Sequence, residues 1–542
     1  MFLVSFEGTT PLGAHEKSDP FNAIGVRMLH QLLGKNINDI HSKFVASPQA
    51  IFELVAKAEK VDFYNDFTGI LVVDGAHQVS KSLYDGHNKD SDFYSLLVQI
   101  AALSLMARSL PEAEENKEHR RAPFIMTCVT ASCFGPAEYA LAKTGRYRVY
   151  LPLNRLAPPV WKWSQSKVFD TSPFTKLLVN DAGGHARAME IMADLFGRSQ
   201  RGLKPNFPEF ADKLRDALMS RYRDAFVMLK DYTLPLVQCI LSRRQIDLDD
   251  LVIPGSTLRW EDVTSSGLIW FTSDTRRGYL EAPYIWLWMI CRSEESKNPG
   301  TSGDPETMHF RQFLIDWKFN DYEQISYLLT GVGEPPTWQS FERFCTSFRV
   351  LRSLGFGNRV VVPLTTLHYG CNLRDDRKTM VVNRHLKLAE AKHQYRTDSI
   401  EGPNRYSKAQ PAKKVETEHN GILNADAQLS HAIINGNSAQ AGDFFLSIQT
   451  PPASKIVREI GQCKFIQKKL SKKDYDDERK KSAGEDDIFI VYAPKGVSSD
   501  VELQDRCGIV DDSRWKEYFG PFTGRAYLSL ESSSSKKRKT QS

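Results

Sequence analysis

Eight cysteines are spread over 542 residues without one C-x-x-C pair. No thiolates therefore stand at zinc-ligand spacing, and buried, reduced thiols are expected instead. No apolar run approaches the ~20 residues that cross a bilayer, and Met1 to Glu7 is too short and unflanked to be a secretion signal, so no membrane partner is expected. Charge of one sign is scarce too. Lys and Arg number 71 against 66 Asp and Glu, a net +5, which is far from the basic excess that would announce a nucleic-acid partner by composition alone. The loop G-x-x-x-x-G-K-[ST] occurs nowhere. Without it the backbone nest and lysine that cradle the β- and γ-phosphates are missing, and ATP is not expected as a cofactor.

What is present is long, ordinary globular sequence. A chain of 542 residues is too long for one core and implies roughly three to four domains. In the front half, Phe2, Leu3, Val4 and Phe6 read as a buried strand, and Asp19-Pro20 and Ser47-Pro48 each place an N-cap and a first-turn proline before an apolar-periodic helix. Gly69 to Asp74 is a continuously apolar strand ending in an acid, a Walker-B-like pattern. A helical segment from Tyr94 to Leu110, a strand from Pro123 to Thr130 and an apolar run from Tyr147 to Leu153 complete an alternation that implies a parallel α/β sheet. Asp74 is placed where a magnesium-linked acid sits opposite phosphates, with Thr130 as a polar sensor at the next strand's end. Asp181-Ala182-Gly183-Gly184-His185-Ala186-Arg187 opens a further helix and resembles the Gly-Gly-x-Pro-Arg element of STAND and AAA-like ATPases. That likeness makes Arg187, with Asp74, a remnant nucleotide site.

Residues 196 to 410 are dominated by amphipathic helical stretches, among them Phe210 to Leu229, Phe310 to Phe319 and Trp338 to Leu354. A polar loop at Ser293 to Pro305 interrupts them. The aromatic run Tyr284 to Trp288 fits core better than base stacking. Tyr395 to Lys414 reads as a linker.

From 415 to 530 the pattern changes again. Gly442 to Ile448 alternates in strand fashion, and Ile456 to Lys464 follows after a short turn, its period of two placing Gln462 and Lys464 on one face while Glu459 points away. An acid on one strand, [D/E/Q]-x-K on the next and then a helix resembles the PD-(D/E)XK nuclease core, with Asp443, Gln462 and Lys464 in the three places. Asp443 and Gln462 would offer hard oxygens to Mg²⁺, and Lys464 would position water or steady charge on phosphorus. Phe465 to Ser482 adds seven lysines and arginines, a run able to track a phosphate backbone of DNA or RNA. Ile488 to Tyr492 supplies a further strand. At residues 531–542 a serine tail carries Lys536, Lys537, Arg538 and Lys539, which reads as a nuclear-import signal.

Taken together, the opening Phe2 to Glu7 with Thr9 to Leu12, the strand to Asp74-Gly75-Ala76-His77, the Gly183-to-Arg187 element, Trp338 to Phe348, and Gly442-Asp443 with Gln462-Cys463-Lys464 resemble the effector region of Crinkler proteins of oomycetes and some fungi. The layout is also similar to that of trypanosome retrotransposon-hot-spot proteins. The resemblance implies an NTPase-like α/β domain without its Walker A unit at 1–195, a helical middle region and linker at 196–410, and a restriction-endonuclease-like α/β domain at 415–530. It further implies a secreted virulence protein delivered to a host nucleus. Its partners would be nucleic acid, a nuclear import receptor and host nuclear proteins. It would cleave nucleic acid with Mg²⁺ or, as the alternative, use retired enzyme folds as non-catalytic binding scaffolds.

Overall fold

A computed structural model describes residues 1–6, 10–13, 16, 18–41, 46–79, 90–104, 123–130, 155–160, 164–169, 173–199, 207–273, 277–292, 339–357, 359–374, 378–396, 410–411, 413–419, 421–424, 429–437, 439, 441–451, 455–464, 468–527 and 529. The chain is α/β and divides into two compact units, residues 1–152 with 258–267, and 153–257 with 268–542. The runs Tyr147 to Leu153, Ser293 to Pro305 and Phe310 to Phe319 lie outside the described residues, as does the basic tail Lys536 to Lys539.

The first unit is a three-stranded parallel sheet of order β1-β2-β3, formed by β1 (Phe2–Ser5), β2 (Thr68–Asp74) and β3 (Phe124–Val129). Helix α1 (Pro20–Leu33) starts where the Asp19 side chain accepts the Asn22 N–H, and α2 (Pro48–Glu59) where Ser47 accepts from Ala50. Each cap satisfies one of the otherwise orphaned first-turn donors. With α3 (Asp92–Leu103) these helices bury Ile24, Met28, Ile51, Phe52, Phe93, Leu96 and Ile100 against Val4, Leu71, Val73 and Ile125 of the sheet. Arg27 and Glu16 form a buried pair at 2.6 Å, and Arg27 also donates to the carbonyls of Thr10 and Pro11, pinning the stretch after β1.

The second unit begins with helices α4 (Pro173–Ala182), α5 (Ala186–Ser199), α6 (Phe207–Arg221) and α7 (Thr233–Ser242). A small antiparallel sheet of β4 (Ile246–Asp247), β5 (Trp270–Thr272) and β6 (Arg277–Glu281) follows, with β6 central, and then α8 (Tyr284–Arg292). The stretch Ala225–Ser242 is apolar enough over 18 residues to match a membrane span by length and composition, which corrects the expectation that no run comes close. Its Leu234, Leu236, Val237, Ile240 and Leu241 are buried in protein, where a core helix belongs. The aromatic run of α8 is core as its spacing implies: Tyr284 to Trp288 are all buried.

Helix α9 (Gln339–Leu354) leads into a nine-stranded mixed sheet. Its path runs β10 (Lys387–Glu390), β11 (His431–Ile434), β12 (Phe444–Thr450), β13 (Lys455–Cys463), β14 (Ile488–Tyr492), β15 (Cys507–Val510) and β8 (Asn372–Leu373). Off this path, β7 (Val360–Pro363) pairs with β9 (Thr379–Val382), which bridges to β12. Residues 360–390, placed from sequence within the helical middle region and linker, thus supply four strands. β12 and β13 are antiparallel, whereas β13, β14 and β15 run parallel. Helix α9 lies against β10, β11 and β13. On the other face α10 (Lys472–Ser482) inserts Tyr475 among Ile460, Phe489, Cys507 and Ile509. With both faces covered, every residue of β14 is buried, as its unbroken apolar run requires.

Candidate functional site

Asp443 sits at the lip of β12, and its backbone is fixed from both sides. Its N–H donates to Gly461 of β13, and its carbonyl accepts the N–H of Asn435 beside β11. Gly442 makes the entry with φ +78°, where an added Cβ would stand 2.6 Å from Ile460, so a side chain is excluded on both counts. Asn435 completes the latch by donating through Nδ2 to the carbonyls of Tyr395 and Gly442. The Asp443 carboxylate then accepts, on Oδ2, the Gln462 Nε2 at 2.6 Å and the Cys463 backbone N–H.

Gln462 is buried, and its Oε1 accepts from Ser482 Oγ at the end of α10, 3.3 Å away. In this orientation the amide donates to Asp443 and its oxygen faces α10; a metal-ligand role for Gln462 requires the amide to turn over. Lys464 follows β13, its N–H donating to Tyr492 of β14 and its Nζ to Glu478 Oε1 of α10 at 2.7 Å. Lys481, one turn on, gives its Nζ to the same oxygen at 2.7 Å. Glu342, near the start of α9, is buried and lies within the electrostatic reach of Asp443.

Burial dominates the electrostatics. Desolvation raises Asp443 to about 7, against the Cys463 N–H and Lys464, which lower it. Glu342 is raised to about 9 by desolvation and then by Asp443, with Lys464 opposing. A cation beside the two carboxyl groups would favour both ionised forms. Mg²⁺ is commonly held by one or two carboxylates with water and substrate phosphate rather than by an all-protein cage. Among the described residues no three His, Cys, Asp or Glu side chains gather into a ready-made metal cage.

Over 98% of its length the chain is 27% identical to Crinkler effector protein 108 of Phytophthora sojae. That likeness supports a Crinkler-family protein. The chain spans 60% of that Crinkler's length. No protein-family model and no solved structure matches.

The other residues singled out in this Crinkler-like sequence have definite places. Glu459, which the strand period turns away from Gln462, is fully buried in a two-pronged pair with Arg349 of α9, at 2.7 and 2.8 Å. Asp74, at the carboxyl end of β2, accepts from Ser5 Oγ at 3.0 Å and from Thr130 Oγ1, hydroxyls at the ends of β1 and β3. Arg187 is in the second unit and pairs with Glu190 one helical turn on, at 2.6 Å. In the same element His185 is buried among Tyr222, Trp270 and Trp286, and its Nδ1 accepts the Ala188 N–H. None of the six described cysteines forms a disulfide.

Glu342, Glu478, Lys481 and Ser482 are the members that sequence reasoning passed over. Glu342 lies inside the segment Trp338 to Phe348, and Glu478 ends the acidic triplet Asp476-Asp477-Glu478 within the basic run. A helical wheel of Lys472–Ser482 would have put Glu478, Lys481 and Ser482 on one side.

Proposed function

We propose that this effector protein acts in a host nucleus on nucleic acid, through a restriction-endonuclease-like domain that hydrolyses phosphodiesters with Mg²⁺. The observation that carries the reading is the meeting of Asp443, Gln462 and Lys464 at one end of β12 and β13, with the Glu342 carboxyl of α9 within the electrostatic reach of the same acid. Asp443 and Glu342 would hold the ion, joined by the Gln462 oxygen. The bound ion supplies a Lewis acid for the scissile phosphate and eases ionisation of a bound water. Lys464 would orient the attacking water or balance charge gathering on the phosphate oxygens. Gln462 and the Cys463 N–H keep Asp443 aimed, and Ser482 keeps Gln462 aimed.

The first unit fits a P-loop-like sheet kept as a scaffold, with Asp74 as the trace of a nucleotide site; Arg187 belongs to the second unit. Import through Lys536 to Lys539 belongs to the same reading and would engage a nuclear import receptor. In a fluorescent fusion, deletion of these four residues should abolish nuclear accumulation. Purified protein should cut plasmid or single-stranded substrate with Mg²⁺ or Mn²⁺, and both Asp443→Ala and Lys464→Ala should lose that cleavage while keeping the parent's circular dichroism. A folded parent that leaves every substrate intact would move the reading to a nuclear binding protein. The closing of Asp443 by Gln462 and Cys463 is what favours that second reading.

A further inference from the structure

The basic run after β13 does not present its charges evenly. Lys472, Lys473 and Lys480 are exposed, and Arg479 turns inward to donate to the carbonyls of Ala483 and Gly484, closing its own helix. Lys481 alone among these cations joins the site. Its ammonium and that of Lys464 converge on one oxygen, Glu478 Oε1, each at 2.7 Å, with both lysine side chains about one-fifth exposed (21% and 20%) and Glu478 at 14%. The second oxygen, Glu478 Oε2, is buried without a hydrogen-bond partner.

Two ammonium groups brought from different elements onto one carboxylate oxygen form a small anion-receiving site already occupied from within. An ammonium presents three donors, so each lysine can bind a second oxygen anion without rebuilding the strand or helix. A phosphodiester brings two non-bridging oxygens and a full negative charge, which matches two cations better than a carboxylate half engaged and half stranded.

We propose that Lys481 is a second phosphate-receiving cation beside Lys464, and that Glu478 is the built-in stand-in that holds both ammonium groups until a nucleic-acid phosphate displaces it. This deepens the nuclease reading and rests on it for the identity of the ligand. Glu478 is accordingly a positioning residue that competes with substrate. Its removal should favour binding, which a merely structural ion pair would not do.

The test is binding of a fluorescein-labelled DNA duplex and of the matching single strand by the full chain, in EDTA so that no cleavage intervenes, across a salt series. Lys481→Gln should weaken binding and reduce the salt slope by about one, whereas Lys480→Gln, its exposed neighbour, should reduce the slope less. Glu478→Gln should tighten binding several-fold. Thermal melts of each variant establish that it is folded; should Lys481→Gln not fold, Lys481→Arg, which keeps the charge, should retain the parent's slope. An unchanged slope in folded Lys481→Gln, weaker binding in folded Glu478→Gln, or no binding by the parent would each overturn the proposal. Cleavage measured separately with Mg²⁺ distinguishes the two ideas. Loss of slope without any cleavage by the parent sinks the nuclease reading alone, and cleavage with an unchanged slope sinks this one alone.

Discussion

Two carboxylates of the C-terminal sheet, Glu459 within β13 and Asp443 just before β12, are nearly as buried as each other at 0% and 7% exposed, yet their proton affinities diverge. Glu459 stays ionised: burial pushes it up, but Arg349 and His368 more than offset that and bring it down to about 2. Asp443 has the Cys463 N–H and Lys464 to lower it, and burial wins, to about 7. Desolvation alone therefore does not decide the charge state of a buried acid. The partner does: a guanidinium with two parallel N–H groups fixes one state, whereas amide and peptide donors leave two states close in free energy.

The contrast breaks most visibly at Glu459. Glu459→Gln leaves the Arg349 guanidinium buried without its counter-charge, and urea denaturation should show a loss of roughly 3–5 kcal/mol. The parent should reveal the same pair through pH. A carboxyl near 4.5 when unfolded and about 2 when folded contributes on the order of 3 kcal/mol that is present above pH 4.5 and fades as pH falls toward 2.

Asp443 should behave with the opposite sign. Its folded value lies above the unfolded 3.8, so the native state binds the extra proton and stability declines as pH rises from about 4 to about 7. Asp443→Asn should remove that decline, raising stability at pH 8 by on the order of 1–3 kcal/mol and changing it little at pH 4, while abolishing any cleavage. A variant less stable than the parent at pH 8 would place Asp443 with the structural acids. The smallest effect belongs to Glu342. Held at about 9, it is protonated at pH 7, so Glu342→Gln should shift stability there by no more than about 0.5 kcal/mol while increasing the Mg²⁺ concentration needed for cleavage.

Much of this architecture was legible in local sequence. The unbroken apolar runs Phe2–Ser5, Thr68–Asp74 and Phe124–Val129 became parallel strands, and the caps at Asp19 and Ser47 start their helices where the dipeptides said. The period of two in β13 also sent Glu459 to the opposite side from Gln462. What could not be read was set by distant pairing. Asn372–Leu373 is two residues long and becomes a strand only because β15 offers it an edge, and Val360–Pro363 and Thr379–Val382 bracket a one-turn helix that masks their period. Glu342 is hidden for the same reason: α9 reaches the site through packing against the sheet, about 100 residues before Asp443, and no local pattern announces that contact.

Helix α9 carries both Glu342 and Arg349, seven residues or just under two turns apart. Arg349 is bolted to β13 through Glu459, so the helix can neither slide nor roll without tearing that joint. The spacing between the two residues is thereby a ruler. One residue inserted between them would leave the bolt in place but swing Glu342 by about 100° away from Asp443, and point substitutions along the same interval would not. Tolerance of this segment should therefore be set by its length more than by its letters.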